Sequence, residues 1–472
     1  MSPFSKDRLN DLLKGREISI VSVKDLQEEN PKLRFDSQFQ SRESLDAINK
    51  IASFDHFRIS DLSIAPLKGR SISYSENGDF PVIRSGDISN SFQAGSLLRS
   101  SDRESAFYVK KSDVLISSIG QGSIGKIQLF REDGEFATVS EVTVLRVKGY
   151  SPACVAAFLS GHYGQAQIHR YVTGATGQLH LYPKDVDRIL IPKFTAEFQD
   201  RISRLYDRQE VLYRSSITSQ ARAESKILEA LGLVDWSPLE QLSFTGRASD
   251  VFDANRIDAQ YFRPLFVEVE EKLKATNSAV MLGSVLSLNA RGRQPKYSEK
   301  GLPVINSKHV RTNRVVLSGN RVAIEKGSPV MIEHGDVLLN GTGEGTLGRA
   351  APYLHSAKAL PDNHVTVLRS NLVDSVYLSV FLNSPLGQWQ IERHIKGSSG
   401  QIELYPNDID KILIWNAPEA LQKSVRREIL SAFEETKKAS ELLLSAERAV
   451  DTAIEGGEVA AMNYLDSIEG TT

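Results

Sequence analysis

Thr173 to Pro192 reads TGATGQLHLYPKDVDRILIP, and Lys396 to Trp415 reads KGSSGQIELYPNDIDKILIW. The two strings lie 223 residues apart, from Gly177 to Gly400, and the same shift recurs outside them. DVLISSIGQGSIGK from Asp113 meets DVLLNGTGEGTLGR from Asp336, and EVTVLR from Glu141 meets HVTVLR from His364. Closer to the N-terminus the shift is 222: PVIRS from Pro81 meets PVINS from Pro303, and RFDSQF from Arg34 meets RIDAQYF from Arg256. One net gap reconciles the two halves. Solenoid periods run roughly 20 to 50 residues, so a repeat of this size is a domain, and about 220 residues sits inside the ordinary domain range. Two copies predict a pseudo-twofold particle that meets a partner or ligand at two related places.

Residues 197–231, EFQDRISRLYDRQEVLYRSSITSQARAESKILEAL, contain no Gly or Pro. Phe198, Ile202, Leu205, Leu212, Ile227 and Leu231 recur mostly at helical spacing, which predicts a long amphipathic helix stopped by Gly232. Gln209, Ser216 and Gln220 stand where seam residues are wanted and predict a polar layer or a bend. The second copy, residues 419–454, carries a cleaner seam of Leu421, Val425, Ile429, Ala432, Ala439, Leu443, Ala446, Val450 and Ala453, ended by Gly456 and Gly457. Two such helices in one chain can cover each other. Ahead of each helix, short β-rich runs such as DVLIS, VTVLRV and RILIP alternate with Gly, Ser, Asn and Pro, which predicts a twisted mixed sheet with long loops. One shorter helix is expected in each copy, from Ser151 and from Asp374. The division is therefore 1–196, a globular unit; 197–233, a helix; 234–417, a second unit; and 418–472, a second helix.

A chain of 472 residues with 40% hydrophobic content can bury a core in each half. Its one cysteine, Cys154, has Tyr377 as repeat counterpart, so thiols supply neither a metal cluster nor a disulfide framework, and a buried structural role is expected. The start, MSPFSKDRLNDLLKGRE, lacks an apolar segment, and no run of about 18 apolar residues occurs, so a cytoplasmic protein is expected. The net charge is −2, unevenly placed. Ser284 to Lys358 holds eleven Lys or Arg against five Asp or Glu, and Ala65 to Arg131 holds nine against six. Such locally basic faces suit DNA, because phosphate neutralisation needs only the facing surface; an ordinary mixed surface accounts for the same charges.

GQGSIGK, Gly120 to Lys126, satisfies the G-x-x-x-x-G-K part of a phosphate-binding loop but fails on context. Ile127 occupies the Ser/Thr slot that would hold magnesium, IQLF reads as strand instead of helix, and the second copy has Arg349 and Ala350. A glycine hairpin approaching a partner, such as DNA phosphate at Lys126 and Arg349, explains both copies. No adenine-methylation tetrapeptide, cofactor fingerprint or zinc-ligand pair occurs, and histidines such as His162, His309 and His364 have different residues as counterparts. No catalysis, cofactor or metal is expected. Gly177, Gln178, Leu181, Tyr182 and Pro183, matched by Gly400, Gln401, Leu404, Tyr405 and Pro406, mark the frame. Exchanges inside the frame mark where the copies differ in what they recognise: Arg84 against Asn306, His180 against Glu403, Ser73 against Lys296 and Glu141 against His364. Arg matches a guanine edge and Asn an adenine edge, each worth about 1 to 3 kcal/mol of discrimination; drift at solvated loop positions is the plain alternative.

With RIDAQYFRP, PDNHVTVLR and GSSGQIELYPNDIDKILI, the doubled order of globular unit and long helix resembles the DNA-specificity subunits of type I restriction-modification systems over nearly the whole chain. The resemblance implies an α+β chain: two pseudo-twofold-related mixed α/β target recognition domains separated by two long antiparallel coiled-coil helices. It implies a non-catalytic subunit of a multisubunit enzyme that binds double-stranded DNA at an asymmetric bipartite site and docks two methyltransferase subunits and a restriction translocase. DNA contacts are then expected from Arg70, Ser73, Arg84, Lys126, Gln178, His180 and Tyr182, and from Arg293, Lys296, Asn306, Lys308, Arg349, Gln401, Glu403 and Tyr405. Helix contacts to partners are expected from Phe198, Ile202, Leu205, Leu212, Leu421, Val425, Ile429 and Leu443. At 1.5 Å per residue a helix of about 35 residues spans roughly 50 Å, enough to bridge half-sites about 34 Å apart. A specificity subunit of another restriction or phage-defence class, and a coiled-coil scaffold that binds proteins, are the alternatives.

Overall fold

A computed structural model describes residues 34–63, 67–89, 95, 97–120, 122–174, 179–238, 241, 243–324, 330–343, 345–397 and 402–469. In the first copy the elements are α1 (Arg42–Ala52), β1 (His56–Arg58), α2 (Ile59–Leu62), β2 (Leu67–Lys68), β3 (Phe80–Ile83), β4 (Leu98–Ser100), β5 (Phe107–Val109), β6 (Val114–Ser117), β7 (Ile127–Leu129), β8 (Phe136–Thr138), β9 (Val142–Leu145), α3 (Pro152–Ser160), α4 (His162–Tyr171), α5 (Pro183–Val186), β10 (Leu190–Pro192) and α6 (Ala196–Leu231). In the second they are α7 (Ala248–Ala254), α8 (Pro264–Lys274), β11 (Ala279–Met281), α9 (Leu282–Val285), β12 (Leu288–Arg291), β13 (Tyr297–Ser298), β14 (Leu302–Ile305), β15 (Val310–Arg311), β16 (Arg314–Val315), β17 (Val322–Ala323), β18 (Val337–Asn340), β19 (Ala350–Pro352), β20 (Leu360–Pro361), β21 (Val365–Arg369), α10 (Ser375–Asn383), α11 (Pro385–His394), α12 (Pro406–Ile409), β22 (Leu413–Trp415), α13 (Glu419–Gly456) and α14 (Glu458–Glu469).

The repeat is carried by strand register. Val114 pairs with Leu145 and Leu129 in the first copy, and Val337 with Leu368 and Pro352 in the second, each position 223 residues on. Besides two-stranded pairs such as β1-β10 and β11-β22, the described residues of each copy form two four-stranded sheets instead of one mixed sheet. One is antiparallel, ordered β2-β9-β6-β7 and β12-β21-β18-β19. The other is ordered β4-β3-β8-β5 and β13-β17-β14-β20, with β3 parallel to β8 and β14 parallel to β20. The single shorter helix is likewise two, broken at Gly161 in the first copy and Ser384 in the second. Both residues are extended, so the break does not depend on glycine.

Motifs present in both copies make the same internal bonds. Arg34 pairs with Asp36 and donates to the carbonyls of Arg170 and Val172, which end α4. Arg256 pairs with Asp258 and reaches Arg393 and Ile395 at the end of α11. Cations at a helix C-terminus satisfy its orphan carbonyls, so the R-x-D string is scaffold. The buried amide of Gln167 bonds both N–H and C=O of Leu190, and Gln390 does the same for Leu413, completing short strands that pair on one side only. Where Cys154 is exchanged for Tyr377, the ring moves but the bond does not: Tyr150 donates to the carbonyl of Pro192 at 2.9 Å, and Tyr377 to that of Trp415 at 2.7 Å. Cys154 is buried, as expected, and burial pushes its thiol up to about 12.

By internal contacts the chain divides into Met1–Arg214 with Thr436–Thr472, and Ser215–Glu435. In the first unit Phe198, Ile202 and Leu205 of α6 share one core with Leu443, Ala446 and Val450 of α13 and Leu465 of α14. In the second, Ala223 and Ile227 share a core with Val425 and Ile429. There the two helices run in opposite directions, since Ser215, Arg222 and Lys226 meet Glu435, Glu428 and Ser424 in turn. The weak middle of α6 holds polar side chains within one continuous helix: Gln209, Ser216 and Ser219 are buried, Gln220 is half-buried, and the hydroxyls of Ser215 and Ser219 donate to Glu435. α13 ends at Gly457, whose φ of +87° starts the separate helix α14.

Candidate nucleic-acid interface

In each unit a glycine hairpin leads from the central strand of the antiparallel sheet, β6 to β7 and β18 to β19. This is strand, turn and strand, so neither copy has the helix that a phosphate-binding loop requires. Gln165 clamps the base of the first hairpin by donating to Gly125 and Leu159, and Gln388 repeats this on Gly348 and Leu382. Gly125 and Gly348 have φ of +82° and +83°, and a Cβ there would press on Ile168 and Ile391 at 3.3 and 3.1 Å. The hairpin is therefore tight and fixed to a helix.

The loop quoted first lies against this hairpin. His180 is bridged to Ile119 and Thr173, and Leu181 donates to Ser118; Glu403 is bridged to Thr342 and Lys396, and Leu404 donates to Gly341. Leu181 and Leu404 anchor the loop in the core, and the next residues, Tyr182 and Tyr405, are 44% and 43% exposed. An exposed aromatic at the same position of both copies, with Arg291 and Lys396 beside the second, is chemistry suited to a nucleic acid. Around it the copies differ. His180 stacks on Tyr182 with ring centroids 5.8 Å apart. Glu403 is instead ionic: Tyr405 and Arg291 hold its carboxyl below the usual range, and the Arg291 guanidinium lies 5.2 Å from the Tyr405 ring centroid. Gln178 and Gln401 lie outside the described residues.

Arg70 and Arg293 are both exposed, each following a glycine whose Cβ would collide with a backbone carbonyl, at 2.1 Å for Gly69 and 2.2 Å for Gly292. Lys126 is exposed at the hairpin's end. Its counterpart Arg349 is half-buried and donates at 2.6 Å to Gly345 of its own turn; burial and Arg311 lower its pKa. Ser73, Lys296 and Lys308 are exposed.

A short turn ahead of each hairpin holds the exchange Arg84 against Asn306. Ser85 ties the first turn to the hairpin through Ser117, Ser123 and the carbonyl of Ile119. The second copy keeps the tie with different chemistry: Asn340 donates to the carbonyls of Ser307 and Thr346. Arg84 is 44% exposed at its side chain and forked onto Asp87 at 3.0 and 3.1 Å. Asn306 is half-buried, and its amide oxygen makes no hydrogen bond inside the protein. Asp87, Lys68 and Arg291 were not singled out from the sequence, and His309 only as a histidine whose counterpart differs, although the repeat shift pairs Asp87 with His309 and Lys68 with Arg291.

The helix residues expected to meet partners are used elsewhere. Phe198, Ile202, Leu205, Val425, Ile429 and Leu443 are buried in the chain's own cores, and Leu212 and Leu421 pack against them. An apolar seam buries against whichever apolar surface is nearest, and here the chain supplies it. What the helices expose is the opposite face, including Val211, Ile217 and Leu444. Among the described residues no group of three or more His, Cys, Asp or Glu could hold a metal ion, and no helix is long and apolar enough to cross a membrane.

Residues 53–206 match the family model of the type I restriction modification DNA specificity domain. Among curated proteins there is no match. Similar solved structures include a type I restriction-modification system S subunit from M. genitalium, 15% identical over 85% of this chain and 95% of that one, with a TM-score of 0.39. An HsdS subunit from Thermoanaerobacter tengcongensis is 13% identical over 86% of this chain and 97% of its own, with a TM-score of 0.27. A chain from a study of complex assembly and conformational transition of the type I R-M system is 12% identical over 86% and 98%, with a TM-score of 0.30.

Proposed function

We propose, from the premise that residues 53–206 belong to the type I restriction modification DNA specificity domain family, that this chain is the DNA-reading subunit of a restriction-modification complex. The observation that carries the proposal is that the second unit repeats the strand pairing of the matched domain at one fixed shift, with Val337 standing for Val114 in both neighbouring pairs. The chain then holds two target recognition domains, each presenting an exposed tyrosine, a basic loop and a glycine hairpin to one half of a split site. Because the residues around those frames differ, the halves of the site differ.

In this account 197–233 and 418–472 are the spacer helices, and their exposed faces dock two adenine methyltransferase subunits and a restriction translocase in the cytoplasm. Chemistry belongs to those partners, and this chain needs no cofactor. Lys126, Arg70, Arg293, Lys296, Lys308 and Arg349 neutralise phosphates, which position without specifying; Arg84, Asn306, His180, Glu403, Ser73, Tyr182, Tyr405, Gln178 and Gln401 meet bases. The test is binding of duplex DNA by the chain purified with its methyltransferase, measured across salt concentrations. Affinity should fall steeply with salt, and Lys126→Ala or Arg70→Ala should weaken all duplexes alike while flattening the salt slope by about 1 per lost contact. Binding without salt dependence would point to a protein-binding scaffold instead.

A further inference from the structure

The turns at Arg84–Asp87 and Asn306–His309 are one device with two fillings. In the first, the backbone N–H of Arg84 donates to the Asp87 carboxylate at 2.9 Å. In the second, the backbone N–H of Asn306 donates to His309 Nδ1 at 3.1 Å. The cap geometry is the same, so the exchange of Arg and Asp for Asn and His preserves the turn. What changes is the group the turn presents.

Asp87 does more for Arg84 than cap it. Its carboxylate also accepts from Nε and Nη2, fixing the guanidinium plane before any ligand arrives and leaving Nη1 and one Nη2 hydrogen for a pair of acceptors. Among base edges, the acceptor pair of matching spacing is O6 and N7 of guanine. An arginine at position 306 would find no such carboxylate, because His309 is neutral and 3% exposed; burial, with Lys308 and Arg311 adding, lowers its pKa to about 4. An asparagine needs none. The amide oxygen of Asn306 is buried without a hydrogen-bond partner inside the protein, so swinging the amide out to meet the donor and acceptor of an adenine edge forfeits no internal bond at that oxygen. His309 accepts through Nδ1, so Nε2 carries its proton, and that buried N–H is also without a partner.

Resting on the DNA-reading function proposed above, we infer that the pair at each turn sets one base position in each half-site: Arg84 with Asp87 selects guanine, and Asn306 with His309 selects adenine. Asp87 and His309 are positioning residues, acting through the residue they hold. The test exchanges the pairs within the chain, which supplies a filling already compatible with the turn. The double variant R84N with D87H, assembled with its methyltransferase, should change one position of the first half-site from G·C to A·T in the map of modified bases. N306R with H309D should make the reverse change in the second half-site. Each wild-type pair should prefer its base by about 10-fold or more in binding. An unchanged motif, changes at several positions, or loss of modification by both exchanges overturns the inference. A wild-type complex that modifies no split motif overturns the function itself.

Discussion

Asp113 is 1% exposed and accepts a bidentate pair from Arg146 at 2.9 and 2.7 Å, with the backbone N–H of Lys110 as a third donor. Asp336 repeats all three bonds with Arg369 and Glu333. These aspartates head the DVLIS and DVLLN strings, so the repetition of a charge before an apolar strand was visible in the chain, but its partner was not. Removing one member of a fully buried pair costs roughly 3–5 kcal/mol, and the partial exposure of both arginines reduces this to about 2–3 kcal/mol. Asp336→Ala should lower the urea midpoint followed by fluorescence of Trp236, Trp389 and Trp415, which all lie in the second unit, and Asp113→Ala that followed by circular dichroism. The frame residues of the quoted loop were legible for the same reason: Leu181 and Leu404 are buried, so their identity is constrained in both copies. The fork of Arg84 on Asp87 was not legible, because a hydrogen bond three residues along a loop leaves no periodicity.

Among the elements, the first long helix was read from its apolar spacing to within a residue at each end, the second was given as one helix over 418–472 where the structure has α13 to Gly456 and a separate α14 from Glu458, and the strands were read only as runs. Strands of two to five residues carry too little alternation to say which sheet they join, which is why two sheets looked like one. Helix α13 also holds a group whose cost depends on pH. Burial, with Asp451 adding, pushes the Glu447 carboxyl up to about 7 from its ordinary 4.5, beside the buried Tyr206. A raised carboxylate pKa means the folded state binds the proton more tightly, so this residue's contribution to stability is lost as pH rises from 4.5 to about 7. Glu447→Gln should therefore raise the melting temperature at pH 8 and leave it unchanged at pH 4, as differential scanning calorimetry would show. Equal effects at both pH values would mean the carboxyl is solvated in the native state.

At the scale of the whole molecule, duplication supplied one frame twice and exchange placed different side chains around it. The fixed shift made the duplication readable, since a strand register cannot slip by one residue without turning its core face to solvent. Which seam residues would be left for partners was not readable, because a helix's apolar stripe says that it is buried but not against what. The function proposed for this chain is to direct modification to a split DNA site whose halves differ. Mapping methylated adenines in genomic DNA from cells carrying and lacking the gene tests it most directly. A motif of two unequal half-sites separated by an unread spacer, present only with the gene, is the expected result. An identical methylation map in both cells would contradict it.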